Sequence, residues 1–297
     1  MTTPSGPEPK PGLLLALVGF ALLSLGDAVI KTMSDEWPST ALAATRFAMG
    51  AVGLSALLLA REGRGPLPVA DRGLHALRGL AVTLATTGFF GALMFMPLAE
   101  ATAISFTSPI LTALLAAPVL GERVRGATWG ASLLAFAGVL AILRPNFLSL
   151  GWPALLPLVS ASGMSLLMIL NGKAAGRGSP LAMQAWAAVF AALMLGSVAL
   201  IGHFGWGEGL VIGWPHWSVL ARCALVAVSA STAHWLIFLG TVRAGASRVA
   251  PMIHVQLLVA GLIGWLGFGH VPDLAAMAGA GLIVLAGLWL WRAERRA

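Results

Sequence analysis

Residues Ala101–Pro145 read ATAISFTSPILTALLAAPVLGERVRGATWGASLLAFAGVLAILRP. The stretch predicts two apolar helices, with Pro109 inside the first and a short Gly-Glu-Arg turn between them. A degenerate copy lies near the other end, where Ala246–Trp291 reads ASRVAPMIHVQLLVAGLIGWLGFGHVPDLAAMAGAGLIVLAGLWLW. The landmarks recur in order: a proline (Pro109, then Pro251), a glycine-plus-polar turn (Gly121-Glu122, then Gly269-His270), and a glycine pair. That pair is Gly130 and Gly138 in the first copy and Gly279 and Gly287 in the second. An ordered set of matches of this kind points to internal duplication.

The duplicated chain belongs in a bilayer. Of its 297 residues 58% are hydrophobic and 10% charged, against about 25% charged in a soluble domain. Its mean hydropathy is +0.89. Apolar segments of roughly 20 residues recur, each long enough to cross a hydrocarbon core of about 30 Å. Strand alternation is missing, so helices rather than a barrel must satisfy the backbone. The 36 glycines favour close helix approach, as in Gly126-Ala-Thr-Trp-Gly130. The net charge of +7 would suggest nucleic acid in a soluble protein, but here its distribution reports topology, and no nucleic-acid partner is expected. A single cysteine, Cys223, allows neither an internal disulfide nor a thiolate metal site. No metal or cofactor is expected.

Ten spans are expected, at 13–33, 38–60, 77–97, 100–119, 125–143, 152–171, 179–201, 216–241, 246–268 and 273–291. The apolar run after the Pro-rich start is too long for a signal segment and is expected to be retained. With the N-terminus inside, 14 Lys and Arg residues fall in inner segments, Lys10, Arg78, Arg123, Lys173, Arg243 and Arg292 among them. Only Lys31 and Arg144 fall outside. That bias favours cytoplasmic N- and C-termini. Ten spans divide into a first half at 13–145 and a second at 152–291, flanked by cytoplasmic tails at 1–12 and 292–297. Because five is odd, the second half would enter the membrane inverted. Inverted repeats suit a carrier whose related halves exchange conformations around a central site.

The run from Pro109 through Leu120-Gly121-Glu122-Arg123 to Gly130 and Gly138 resembles the end of each repeat in EamA-type members of the drug/metabolite transporter superfamily. Arg46, in the setting ALAATRF, matches the arginine that commonly sits in their second helix. The resemblance covers nearly the whole chain and is nearest to bacterial inner-membrane exporters of aromatic and other neutral amino acids. It implies a central cavity between five-helix halves and alternating access without ATP. The chain departs from the pattern at His270, where the second turn usually carries Glu.

Polar residues within spans are few, and each costs about 2.5–3.5 kcal/mol at mid-membrane on insertion scales. Asp27, Arg46 and Arg222 fall at a common depth of about 9–12 Å below the outer surface, from 1.5 Å of rise per residue. They read either as a net positive site for a substrate carboxylate, or as an Asp27–Arg46 ion pair with Arg222 snorkelling outward. His234 and His254 lie nearer the cytoplasmic side and read as substrate ligands, as pH-titrating groups, or as interhelical hydrogen-bonding partners. Trp186, Trp235, Gln256 and Met168 are candidates for an apolar and aromatic wall with placed polar groups. Thr87 and Thr107 are candidate cavity hydroxyls, although bonding back to the helix is the commoner fate. Pro109 and Pro251 remove a backbone bond and predict kinks that could serve as hinges.

Rival classes find little support. HExxH, GxSG, a mid-span lysine and a Walker A motif are all missing, which speaks against an intramembrane protease, a retinal protein and an ATP-driven pump. No ring of charges suggests a channel. The expected protein is a monomeric ten-helix secondary transporter. It would export neutral, aromatic amino acids, with multidrug or other small-metabolite export as the alternative.

Overall fold

The computed structural model describes residues 9–33, 35–63, 71–96, 98–144, 151–205, 210–268 and 273–293. Among them, ten helical spans are long and apolar enough to cross a membrane. Spans one to three are α1 (Pro9–Lys31), α2 (Ser39–Glu62) and α3 (Arg72–Leu93). The fourth is broken into α4 (Leu98–Ser105) and α5 (Ser108–Leu120), and the fifth is α6 (Gly126–Leu143). A 3-10 turn at Trp152–Ala154 leads into α7 (Leu155–Ala174), followed by α8 (Pro180–Gly205) and α9 (Trp217–Ala244). The ninth span is again broken, into α10 (Ala246–Val249), a 3-10 stretch Ala250–His254, and α11 (Val255–Phe268). The tenth is α12 (Leu274–Ala293).

Both breaks follow from proline. Pro109 has no N–H for Ser105, and its ring would crowd that carbonyl in a continuous helix. The chain instead turns at Phe106–Thr107 and restarts with Pro109 in the first turn of α5, where a missing N–H costs nothing. Pro251 occupies the same place in the 3-10 stretch. The expected kinks are therefore interruptions, and the two spans are each two helices. Boundaries also move: α1 begins at Pro9 rather than 13, α3 runs over 72–93 rather than 77–97, and α8 ends at Gly205 rather than 201. Arg78, counted with the inner segments at the edge of the expected span, lies well inside α3.

Packing is antiparallel and paired across the sequence. The most extensive seams join α1 to α9, α3 to α7, α6 to α12 and α2 to α8. Exchanging every span for the one five places away leaves this set unchanged, a pattern compatible with two inverted halves. The glycine pairs find their use at the α6–α12 crossing. A Cβ on Gly138 would lie 2.6 Å from the Gly279 carbonyl oxygen, and one on Gly279 equally close to that of Gly138. Gly130 accepts the ring of Trp289, whereas Gly126 and Gly287 meet nothing within 4 Å. The repeat landmark Gly269-His270 lies outside the described residues.

Gly121 shows how local conformation joins the halves. At φ +69° it ends α5, with its N–H returning to Ala117 O at 3.0 Å and that of Glu122 to Ala116 O at 3.3 Å. This turn projects the Glu122 carboxylate onto the start of α10. There it accepts from Ala246 N–H (2.8 Å), Ser247 N–H (3.1 Å) and the Ser247 hydroxyl (2.7 Å). An anion suits these unpaired amides. At the opposite end of the bundle Asp273 accepts from Ala276 N–H at 2.8 Å and pairs with Arg144; that N–H first, and then the guanidinium, hold its carboxyl below the usual carboxylate range.

Candidate functional site

A cavity lies where α2, α3, α7, α8 and α9 meet. Small residues make room for it: Gly50 on α2, Ala187 and Ala188 on α8, and Ala227 and Ala230 on α9. Phe47, Leu54, Val82 and Leu167 supply apolar walls. The polar lining consists of Arg46, Asn171, Gln184, Ser231 and His234. None of the lining residues is acidic.

Arg46 projects from α2 with its guanidinium carbon 5.1 Å from the centroid of the Phe47 ring. Its Nε is buried without a hydrogen-bond partner. Asp27 is close enough to interact with Arg46 electrostatically, yet no ion pair within 4.0 Å joins them among the described residues. Behind the cavity, Arg78 is 1% exposed and held on three sides. Its Nε donates to Asn171 Oδ1 (3.1 Å), one terminal nitrogen to Met183 O (2.6 Å), and the other to Gln184 Oε1 (3.2 Å). Its guanidinium also faces the Phe238 ring at 5.1 Å. Gln184 Nε2 in turn donates to His234 O at 2.7 Å.

Of the sequence candidates, the structure brings Arg46 and His234 together at the cavity. Arg222 lies apart. It donates to both carboxylate oxygens of Glu36 (2.8 and 2.7 Å) and to the Thr32 carbonyl (2.9 Å), tying α9 to the α1–α2 connection. Trp235 is 42% exposed on the outer face of α9. Trp186 stacks loosely on Phe190, ring centroids 6.5 Å apart, outside the cavity lining. Met168 is buried with its sulfur 4.0 Å from the Thr241 hydroxyl. Thr87 and Thr107 bond back to Thr83 O and Ile104 O, each at 2.7 Å. Gln256 receives the Ser24 hydroxyl on its main-chain oxygen at 2.9 Å.

His254 is buried at the broken ninth span. Its Nδ1 lies 2.8 Å from Pro251 O, and its ring meets that of Phe106 edge-on at 5.7 Å. The two interruptions thus touch through this residue. Pro109 and Pro251 are both buried there.

A ten-span bundle with a polar-ended cavity at its centre is the frame of a carrier, and residues 10–144 match the EamA-like transporter family. That match lies in the first half of the chain. The whole chain is 29% identical to a riboflavin transporter of Rhizobium johnstonii, across 96% of its own length and 91% of the relative's. It is 27% identical to a pseudopaline exporter of Pseudomonas aeruginosa (96% and 98% covered) and 23% identical to an S-adenosylmethionine uptake transporter of Rickettsia prowazekii (96% and 94%). A solved crystal structure shares the fold with a TM-score of 0.81 at 21% identity, covering 96% of this chain and 98% of that one. The protein is therefore a multi-pass membrane transporter for a small molecule, and not an enzyme.

Sequence reading passed over Arg78, Asn171 and Gln184. Arg78 looked like a loop cation, and the two amides sit at helix ends where polar residues are ordinary. The signal that could have found them is Arg78 itself, since α3 keeps an apolar pattern on both sides of it.

Proposed function

We propose that the chain exports neutral, aromatic amino acids across the bacterial inner membrane by alternating access, with both termini in the cytoplasm. The observation that carries this reading is the cavity with Arg46 at its edge, apolar walls and no acid in its lining. A buried donor without a partner costs about 1–3 kcal/mol. The unpaired Nε of Arg46 is such a donor, and a substrate carboxylate would complete it. His234 supplies a second polar contact, and Phe47 an aromatic wall. The halves at 13–145 and 152–291 move about the interruptions at Pro109 and Pro251.

A second reading is favoured by the relatives. Riboflavin and S-adenosylmethionine each carry a planar heteroaromatic ring, so a larger ring-bearing metabolite would suit the same apolar walls. The test is counterflow in proteoliposomes loaded in turn with Phe, Trp, Met, Thr, riboflavin, S-adenosylmethionine and a cationic drug. Exchange of Phe and Trp supports the amino-acid reading. Exchange of riboflavin or S-adenosylmethionine without amino acids replaces it with the second. Exchange of the drug alone removes both.

A further inference from the structure

The amides beside Arg78 have their orientations dictated by chemistry. A guanidinium only donates, so the atoms of Asn171 and Gln184 that meet it must be the carbonyl oxygens. A main-chain carbonyl only accepts, so the Gln184 atom on His234 O must be the amide nitrogen. Asn171 lines the cavity and its oxygen is taken, which leaves its NH2 as the polar group it offers there. Arg46 adds a second donor that cannot accept. The lining at this end of the cavity therefore displays donors and positive charge, with the Asp27 carboxylate acting on Arg46 from outside the lining. Among the described residues Arg78 pairs with two amide oxygens and a main-chain carbonyl and forms no ion pair within 4.0 Å.

From this geometry, and resting on the carrier reading above, we infer that Arg78 is a positioning residue that makes the cavity select substrates bearing a carboxylate. It turns the acceptor oxygens of Asn171 and Gln184 away from the substrate and adds a cation behind them. An organic carboxylate meets Arg46 and the Asn171 NH2 in charge-assisted bonds. An amine at the same place meets two guanidinium charges and no acceptor oxygen from either amide. Selection here works as much by rejecting cations as by holding anions.

The experiment compares 3-phenylpropionate, phenylalanine, phenylalaninamide and phenethylamine in counterflow with the purified full chain, corrected for protein-free liposomes. The quantity read is the rate ratio of carboxylate to amine, because a variant that merely folds poorly lowers both rates and leaves the ratio alone. Wild type is expected to exchange the two carboxylates at least about tenfold faster than the two amines, the equivalent of one charged hydrogen bond. Asn171→Asp keeps the side-chain volume and neutralises Arg78, and it is expected to bring that ratio near one. Arg78→Met should do the same, and Arg78→Lys should restore part of it. Wild-type exchange of phenethylamine as fast as 3-phenylpropionate overturns the inference, as does a lack of exchange for both carboxylates or an unaltered ratio in Asn171→Asp. Exchange of 3-phenylpropionate without phenylalanine removes the amino-acid reading and leaves the carboxylate selection standing.

Discussion

Arg46 and Arg222 read alike in the sequence, both being arginines a similar distance into a span, and their neighbours separate them. Arg222 has a bidentate carboxylate and a main-chain oxygen, with its side chain 27% exposed. Arg46 has an aromatic face and an unpaired Nε at a cavity wall. The charge that is already answered is structural, and the one left open is available to a ligand. Arg222→Gln is therefore expected to leave counterflow unchanged and to lower stability by no more than about 1 kcal/mol, the ordinary value of a part-exposed pair. Arg46→Gln is expected to reduce flux about 10- to 100-fold, the loss of a hydrogen bond to a charged group. Thermal unfolding in detergent and counterflow read the two effects separately. A loss of flux in Arg222→Gln equal to that in Arg46→Gln would return Arg222 to the transport path. Sequence singled out Arg46 because an intramembrane cation is costly wherever it falls. It could not see that Glu36 waits for Arg222, since that partner comes from a loop 186 residues away.

Helices and their ends were legible to different degrees. Hydropathy alone locates all ten spans, because membrane helices must satisfy their backbones internally and so announce themselves by length. Proline marked the two spans that break, but periodicity does not report whether a helix bends or stops. What decides that is a partner for the freed backbone, and Glu122 shows the point at α10. The Gly-Glu turn looked like a connection between spans, whereas its carboxylate holds the first amides of a helix in the other half. Glu122→Gln keeps one acceptor and removes the charge. It is expected to destabilise the chain by about 1–2 kcal/mol, within the range for a lost helix cap or charged hydrogen bond. The check is the thermal unfolding midpoint in detergent, with Glu62→Gln at the end of α2 as a surface control. An unfolding midpoint equal to wild type would mean that α10 is held by its packing on α5 and α9 alone.

For the bundle entire, two independent patterns lead to one arrangement. The seams between spans are unchanged when each span is exchanged for its counterpart five places on, and every major seam is antiparallel. The Lys and Arg distribution, which owes nothing to packing, favours the cytoplasm for alternate connections by 13 to 2 once Arg78 is set within α3. An antiparallel pairing of span n with span n+5 requires the halves to enter the membrane in opposite senses. The charge bias then predicts which end of each faces the cytoplasm. Labelling of engineered cysteines tests this directly, because the native Cys223 is buried at 1% exposure and can be replaced by alanine beforehand. Cysteines at Glu62 and Ala293 are expected to react with an impermeant maleimide only in inside-out vesicles, and cysteines at Glu36 and Asp273 only in right-side-out cells. Glu36 and Asp273 serve as outer probes because both hold arginines at the same end of the bundle, one from each end of the chain. Labelling of all four sites from both sides would mean dual insertion. The seams within each chain would be unchanged, and the charge bias would have failed to orient it.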